Sequence, residues 1–144
     1  MANDELYTPK VIFDLLGLEF DLDVASGLNE NIVVPAHTRY TIEDDALIQD
    51  WYGRVWMNPP FSKPSPWVHK WLEHGNGVAL LPLSGNSQWW RTLWQSDAAM
   101  VMIKPNTGFM NTEGEEKKIM YGISLWAVGD NDCIKALEAF GKVR

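Results

Sequence analysis

The sequence predicts an α/β fold built on a mostly parallel sheet. Short apolar segments alternate along the chain with segments whose apolar residues recur every three to four positions, as strands and helices do in such folds. The segment 78–81 is entirely apolar, which is typical of a strand covered on both faces. No helical pattern separates the last two apolar segments, 98–103 and 119–128, so we expect antiparallel neighbours at one edge of the sheet.

The first predicted elements are a helix and a strand. Thr8 is the expected N-cap of the helix, Pro9 its first residue and Gly17 its end. The strand, 20–25, alternates apolar and acidic residues before a turn of small residues. Residues 27–42 are poorly patterned and are predicted to be mostly loop.

A short helix over 43–51 is expected next, or a turn that holds Asp44 and Asp45 before it. The buried strand 54–57 then ends because two consecutive prolines cannot continue it. The later elements are a helix over 65–74, a strand over 78–81, a helix capped by Asn86 or Ser87, a strand over 98–103, a polar loop over 105–118, a strand over 119–128 and a helix over 132–140. Five tryptophans on apolar faces are expected to pack in the core: Trp56, Trp71, Trp90, Trp94 and Trp126.

Length and composition predict one domain over residues 1–144, because 144 residues with 46% hydrophobic content suffice for a single core. No run of 18 apolar residues occurs and the N-terminal residues are acidic, so neither a membrane span nor a secretory leader is expected. The single cysteine, Cys133, fits a reducing cytoplasm and is interpreted as a small buried hydrophobic residue. The three histidines lack metal-ligand spacing, so no metal site is predicted.

The charge of the chain is unevenly distributed. Residues 1–50 carry 11 acidic and two basic side chains, a net charge of −9, whereas residues 51–144 carry ten basic and eight acidic side chains, a net charge of +2. A polyanion would therefore meet the second half, and the acidic half suits a cationic small molecule.

Unusual sequences follow three of the predicted strands, at 23–27, 58–61 and 82–86. In open parallel sheets, ligands bind beyond the carboxyl ends of the strands. We therefore expect these three segments to contribute to a ligand site.

The segment Asn58, Pro59, Pro60 and Phe61 has the clearest chemistry of the three. The prolines remove backbone donors, so the Pro59 carbonyl and the Asn58 side-chain oxygen can accept from one ligand group. Two acceptors fit the two hydrogens of an exocyclic amine, and Phe61 offers a flat face to a planar base. This grip would favour a pyramidal nitrogen and would strengthen as positive charge develops on it. Taken alone, the tetrapeptide fits equally well a rigid turn at a strand end.

The motifs around this tetrapeptide occur in a characteristic order, which is Thr8-Pro9, 21–27, Asp44-Asp45-Ala46-Leu47 with Trp51, 58–62, Trp67-Val68, Leu80-Leu81-Pro82 and 123–126. Over residues 4–128 the chain resembles the phage-type DNA N6-adenine methyltransferases, a compact branch of the S-adenosylmethionine-dependent amino-methyltransferases. The resemblance implies a compact Rossmann-like methyltransferase fold, S-adenosylmethionine as cofactor and DNA as partner. It also implies direct methyl transfer to N6 of a flipped adenine, in a bacterial or phage-infected host cell.

The resemblance assigns roles to individual residues. It implies that the catalytic residues are Asn58, Pro59, Pro60 and Phe61. The cofactor residues that it implies are Tyr7, Thr8 and Pro9 at the methionine end, Asp23, Ala25, Ser26 and Gly27 after the first strand, and Asp45 and Ala46 at the cofactor adenine. Within the second group, the Asp23 carboxylate would meet the methionine amine.

The sequence departs from the family pattern in four respects. Gly27 begins no Gly-x-Gly, and only 19 residues, 26–44, lie between the first strand and Asp45, too few for two helices and a full second strand. We therefore expect fewer helices between the first strand and the catalytic strand. The usual ribose carboxylate is not identified, and Glu43 and Asp44 are weak candidates. A separate target-recognition domain is not expected within residues 1–144, which leaves the loops 28–42 and 105–118 for that role.

Two other interpretations stay open. The same grip would serve another amino or amide acceptor, such as another base, RNA or a protein glutamine. The incomplete glycine pattern and low positive charge also fit a cofactor-binding or DNA-binding module without turnover, for example one that interferes with host restriction. Both a monomer and a dimer are compatible with the sequence.

Overall fold

The computed structural model describes residues 8–28, 33–103 and 122–144, together with the backbone of 109–110 and 116–117. Its helices are α1 (Lys10–Leu16), α2 (Ser65–His74), α3 (Gln88–Gln95) and α4 (Asn131–Ala136). Its strands are β1 (Phe20–Asp23), β2 (Ala36–Arg39), β3 (Val55–Met57), β4 (Gly77–Pro82), β5 (Ala99–Ile103), β6 (Phe109–Met110), β7 (Glu116–Lys117) and β8 (Ile123–Val128). Short 3₁₀ turns lie at Ala46–Ile48 and Leu137–Phe140.

Six strands form one mixed sheet in the order β2-β1-β3-β4-β8-β5. The first four strands of that order are parallel, and β8 is antiparallel to both β4 and β5. The predicted α/β fold and the predicted antiparallel neighbours at one edge are therefore confirmed. The antiparallel strand itself, β8, lies second from that edge, and β5 is outermost.

Helices cover both faces of this sheet. Residues of α1 and α4 belong to one hydrophobic cluster, the α1-face cluster, which includes Trp56, Val78 and Leu80. Residues of α2 and α3 belong to the other, the α2-face cluster, which includes Ala79 and Leu81. Successive residues of β4 thus point to opposite clusters, which explains why the segment 78–81 has no polar position.

Two helix ends follow the predicted glycine pattern, and one helix start does not. Gly17 and Gly75 end α1 and α2 in the left-handed conformation, at φ +64° and +77°. The N-cap of α1 is Pro9 in an extended conformation, so the prediction that Thr8 caps this helix is wrong. The Thr8 hydroxyl instead accepts a hydrogen bond from the side chain of Asn58, which lies 50 residues away.

The region predicted to be mostly loop, 27–42, contains a strand. Residues of β2 pair in parallel with β1, from Phe20 with Ala36 to Asp23 with Arg39. Three of its four residues are exposed, so the strand is held by backbone bonds and lacks the alternating pattern that predicts a half-buried strand. No helix occurs in the described residues between β1 and β3, apart from the 3₁₀ turn.

Other predictions needed smaller corrections. The predicted helix over 43–51 is only the 3₁₀ turn Ala46–Ile48. Asp44 lies in the turn before it, in agreement with the second of the two predictions for this segment. Within the predicted loop 105–118, the pair β6 and β7 forms a separate antiparallel ladder, and the rest lies outside the described residues.

Trp94, which was predicted to pack in the core, is 43% exposed, and the Arg144 guanidinium stacks 3.6 Å from the centre of its ring. None of the described helices is long and apolar enough to cross a membrane.

The junction of β3 and β4 requires glycine at position 77. Gly77 has φ +149°, and a Cβ atom there would collide with the backbone carbonyl of Val55, its partner in β3. We expect Gly77→Ala to lower the free energy of unfolding by more than about 2 kcal/mol, because neither strand can move without disturbing the centre of the sheet. Gly17→Ala is the control, since its φ is also positive but a Cβ meets nothing within 4 Å. That variant should lose only about 1 kcal/mol. Urea unfolding compares them, and equal losses would contradict the steric explanation.

Candidate active site

The crevice between β1 and β3 is the topological switch point of the sheet. The chain leaves β1 for β2 on one side and later returns to β3 on the other. The connections therefore diverge above the carboxyl ends of β1 and β3, which is where open α/β sheets bind ligands. The predicted segments 23–27 and 58–61 both begin at this crevice, and the segment 82–86 follows the end of β4, the next parallel strand.

Backbone hydrogen bonds continue beyond the end of β1 and fix the first segment. The amide of Val24 donates to the Trp56 carbonyl at 3.1 Å. On the other side, the Tyr40 amide donates to the Asp23 carbonyl and the Ser26 amide donates to the Tyr40 carbonyl, each at 2.8 Å. The segment after β1 is thus held by both neighbouring strands, which gives a rigid wall to the crevice.

Asp23 is a buried carboxyl group in that wall, with only 2% of the residue exposed. Its Oδ1 accepts from the Ala25 amide at 3.2 Å, and its Oδ2 lies 3.7 Å from a guanidinium nitrogen of Arg39. Burial raises the pKa of Asp23 from 3.8 to about 7, and these two partners oppose the rise only in part. The carboxylate is therefore short of compensating charge, and a ligand cation beside it would be stabilised.

Asn58 follows β3 on the face that carries α1. Its Nδ2 donates to Thr8 Oγ1 at 3.2 Å, and Thr8 is 4% exposed. Asp23 and Trp56 are register partners in neighbouring strands, so their side chains point to the same face. Asn58 lies two residues beyond Trp56, a distance of about 7 Å along the strand. The structure thus brings Thr8, Asp23 and Asn58 to one side of the crevice.

The tetrapeptide leads into a tight turn between Pro60 and Lys63. Pro59 is buried and Pro60 is half-buried, and the Pro60 carbonyl accepts from the Lys63 amide at 3.3 Å. Phe61 is half-buried and packs against the α1-face cluster. These contacts restrict the motion of the turn, so the positions of Asn58 and Phe61 relative to each other are fixed.

The remaining predicted cofactor residues are less closely grouped. Ser26 is buried and its hydroxyl donates to the Gly27 carbonyl at 3.2 Å, while Ala25 and Gly27 are half-buried beside it. Pro9 is half-buried at the start of α1. Tyr7 lies outside the described residues.

Asp45 and Ala46 are placed by a different set of contacts. Asp45 is exposed with φ +52°, whereas Ala46 is buried in the α2-face cluster, across the sheet from Thr8. The Trp51 indole donates to the Ala46 carbonyl at 2.9 Å. Lys70 of α2 donates to the carbonyls of Leu47 and Gln49 at 2.9 and 2.5 Å. This segment is therefore clamped to α2 rather than to the Asp23 side of the crevice.

Three residues of this region were missed or misread from the sequence. Arg39 lies in the supposed loop, where no pattern indicated that β2 would carry it to the side of Asp23. Arg54 and Lys70 belong to the second half of the chain, whose positive balance suggested that a polyanion would meet it. Arg54 instead donates to Asp130 at 2.8 Å, and Lys70 is bound to backbone carbonyls. The positive charge available at the surface is accordingly smaller than the composition suggests.

A separate cavity of about 450 Å³ lies between α3, β5 and the end of β4. Its lining includes Trp90, Arg91, Trp94, Met100 and Met102. It contains none of the predicted catalytic or cofactor residues. Within the described ranges, no three His, Cys, Asp or Glu side chains are grouped as metal ligands.

The sheet order defines an open α/β protein, and the crevice at its switch point is a candidate ligand site. Comparison with known sequences identifies the family more closely. The family described as "DNA N-6-adenine-methyltransferase (Dam)" matches residues 1–121, and the chain belongs to this family.

Two curated relatives from phages are both called DNA N-6-adenine-methyltransferase. The protein of Haemophilus phage HP1 (strain HP1c1) is 34% identical over 107 residues, which cover 69% of this chain and 60% of the relative. The protein of Escherichia phage T1 is 31% identical over 90 residues, which cover 58% of this chain and 36% of the relative. The chain thus spans less than two thirds of the length of each relative.

The raised pKa of Asp23 predicts a specific pH dependence of stability. Because the folded pKa, about 7, exceeds the ordinary value of 3.8, the folded state binds this proton more tightly than the unfolded chain does. The resulting stabilisation is fully present below pH 3.8 and is lost as the pH rises to about 7. It amounts to at most about 4 kcal/mol.

Comparison with Asp23→Asn isolates this effect, because the amide is always neutral and can still accept from Ala25. The free energy of unfolding of the native protein minus that of the variant should fall between pH 5 and 7.5 and level off above. Chemical denaturation at each pH measures it. A difference that does not change with pH would show that Asp23 titrates normally.

Proposed function

We propose that this chain methylates the exocyclic N6 amino group of adenine in DNA, with S-adenosylmethionine as the methyl donor. The observation that carries the proposal is the side chain of Asn58, fixed at the switch-point crevice on the same side as the buried Asp23, in a chain of this family. The strand order, with β8 antiparallel between β4 and β5, is consistent with a Rossmann-like methyltransferase fold.

The residues around Asp23 suit the proposed cofactor. S-adenosylmethionine, when bound, supplies an electrophilic methyl group on a sulfonium centre and carries an ammonium group at its methionine end. Asp23 is a buried carboxylate, and the positive charge beside it only partly compensates for its burial. It would therefore bind that ammonium group strongly. The segment 25–27 would contact the methionine end, as would Thr8 and Pro9. Asp45 and Ala46 would hold the cofactor adenine from the side of α2.

Asn58 and Pro59 would act on the acceptor amine. The Asn58 side-chain oxygen and the Pro59 carbonyl accept from the two hydrogens of N6, which localises the nitrogen lone pair toward the methyl group. Both hydrogen bonds strengthen as positive charge develops on nitrogen, so they stabilise the transition state more than the ground state. Phe61 would stack on the adenine ring, offsetting part of the few kcal/mol needed to extrude a base from the duplex.

The first experiment is expression of the chain in a bacterium that lacks adenine methylation, followed by genome-wide mapping of modified bases. We expect N6-methyladenine at a defined set of sites. Purified protein incubated with labelled S-adenosylmethionine and with DNA, RNA or protein acceptors identifies the acceptor class. Label found only on RNA or protein would contradict the proposal, as would cofactor binding without any transfer.

Asn58→Ala should reduce methyl transfer at least about 100-fold, since one of the two acceptors that act in the transition state is removed. The affinity for S-adenosylmethionine should change little, because Asp23 and the segment after β1 are untouched. Asn131→Ala is the control. This exposed residue starts α4 after β8, whose end pairs with the start of β4. It therefore lies near the amino ends of the parallel strands, whereas Asn58 follows a carboxyl end. Single-turnover kinetics with saturating cofactor compares the three proteins. Equal rates in Asn58→Ala and the native protein would reject the catalytic role of Asn58.

Cofactor binding should release a proton from Asp23 below pH 7. Binding of an ammonium group requires the charged carboxylate, so the affinity for S-adenosylmethionine should rise up to about tenfold per pH unit below 7 and then level off. Arg39 is the charged side chain that faces Asp23, and guanidinium groups in general do not lose a proton in proteins. Calorimetry in two buffers of different ionisation enthalpy measures both affinity and proton release. Asp23→Asn should bind more weakly and without proton release, and the same proton release in that variant would assign the titration to another group.

A further inference from the structure

We propose that Lys70 is a positioning residue that holds the segment 45–49 so that the Asp45 carboxylate can accept a hydrogen bond from the amino group of the cofactor adenine. The Lys70 ammonium group donates to the carbonyls of Leu47 and Gln49 at 2.9 and 2.5 Å. This inference rests on the proposed function. It gives a lysine that acts only through backbone carbonyls a part in selecting the base of the cofactor.

Asp45 has a conformation that its surroundings must hold in place. Among the described residues other than glycine, it is the one with a positive φ, +52°. This conformation is sterically unfavourable for residues that carry a Cβ atom. It persists where neighbouring contacts determine it, and such residues are frequent in ligand sites. The Asp45 side chain is exposed, so its carboxylate is accessible to a ligand.

The two adjacent carboxylates, Asp44 and Asp45, differ in their partners. The Asp44 carboxylate accepts from the amide and the hydroxyl of Thr41 at 2.7 and 3.3 Å. In the part of the chain that the structure describes, no such bond is made to the Asp45 carboxylate. Of the two, Asp45 is therefore the better acceptor for a ligand, and the amino group of a purine has two hydrogens to donate.

Side chains hold the segment that follows Asp45. The Trp51 indole donates to the Ala46 carbonyl at 2.9 Å. The Lys70 ammonium group, besides its two carbonyl partners, lies 5.4 Å from the centre of the Trp51 ring. Removal of the ammonium group would therefore leave two carbonyls without their donor and would also loosen the ring that holds a third.

These contacts fix the segment relative to the crevice. Lys70 lies on α2, which packs against the sheet through the α2-face cluster. The Tyr40 hydroxyl donates to the Asp50 carbonyl and the Tyr40 amide donates to the Asp23 carbonyl, each at 2.8 Å. The segment is thus tied to the wall of the crevice at one end and to α2 along its length. Both ties restrict where the Asp45 carboxylate lies relative to Asp23.

Lys70→Met tests this role, because methionine keeps an apolar stem of similar length but cannot donate. The probes are S-adenosylhomocysteine and S-inosylhomocysteine, and the second has a carbonyl in place of the amino group of the base. The native protein should prefer the adenosyl compound at least about tenfold, since the Asp45 carboxylate would otherwise face a carbonyl oxygen. In Lys70→Met the preference should fall below about threefold.

Calorimetry measures both affinities on each protein. A ratio of two affinities of one protein does not depend on the fraction of it that is folded, so a loss of stability alone would leave the preference unchanged. The native preference retained in Lys70→Met would overturn the proposal. A native protein that binds neither compound, or that binds both equally, would overturn it as well.

Three further variants complete the comparison. Lys135→Met is the matched control, since this exposed lysine of α4 removes the same charge on the side of the α1-face cluster, and it should keep the native preference. Asp45→Asn should lose the preference, because an amide can donate to the inosine carbonyl as well as accept from the adenine amine. Adding Lys70→Met to Asp45→Asn should change it no further. Should Lys70→Met fail to fold, Trp51→Phe replaces it, since it removes the donor to Ala46 and keeps a ring.

Hydrogen exchange on the free protein gives a second test that needs no ligand. The amides of Ile48 and Gln49 donate to the carbonyls of Asp45 and Ala46 at 3.0 and 3.2 Å. Lys70→Met should speed the exchange of both amides at least about tenfold, whereas the control variant should not. Native exchange rates in Lys70→Met would show that the segment keeps its conformation without the lysine, which contradicts the proposal.

The binding preference separates this inference from the proposed reaction. If no acceptor is methylated but Lys70→Met loses the preference, the reaction fails and the positioning role stands. If DNA is methylated and the preference is the same in Lys70→Met, the positioning role is rejected while the reaction stands.

Discussion

The pairing of β1 with a parallel strand on each side is the constraint on which the rest of the structure depends. Because the chain departs from β1 toward β2 and returns to β3, its connections diverge at the carboxyl ends of these strands and leave a crevice. Hydrogen bonds from Val24 and to Asp23 extend the pairing beyond the last strand residue on both sides. The crevice is rigid for that reason, although β2 has only four residues and β3 only three.

Within this crevice, the burial of Asp23 lowers the stability of the free protein at neutral pH and would favour the binding of a cation. A carboxyl group at 2% exposure, with one backbone donor and a guanidinium nitrogen at 3.7 Å, is less stable when charged than it would be in water. A well-packed apolar residue would stabilise the fold more at neutral pH. The proposed cofactor would supply the missing positive charge, so the burial of Asp23, which is unfavourable in the free protein, would become favourable in the complex. Functional sites commonly combine local destabilisation with binding in this way.

The sequence predicted the sheet and the segments of the site better than the contacts within the site. Local signals were sufficient for the glycine-ended helices α1 and α2, for the doubly covered strand β4, and for the polar segments after β1 and β3. β2 was missed because a mostly exposed strand at the edge of the sheet carries no period-2 pattern, and its pairing is decided by backbone bonds. Thr8 has the local features of an N-cap, yet its hydroxyl is used by a residue 50 positions away. Contacts of this range depend on tertiary packing, which no local pattern encodes.

The distribution of charge bears on how a chain with a net charge of −7 could act on DNA. Arg54 is paired with Asp130, and Lys70 holds backbone carbonyls, so neither is available to a phosphate. Lys63, two residues after the tetrapeptide 58–61, is exposed. Each basic side chain that is already engaged removes a possible phosphate contact and so lowers the nonspecific electrostatic part of any DNA affinity. In the proposed reaction, stacking and hydrogen bonding of the extruded base would then offset a larger share of the free energy that extrusion costs. That share would fall to Phe61 and Asn58. Phe61 is held by packing against the α1-face cluster and Asn58 by its hydrogen bond to Thr8, and both contacts exist before any base is bound.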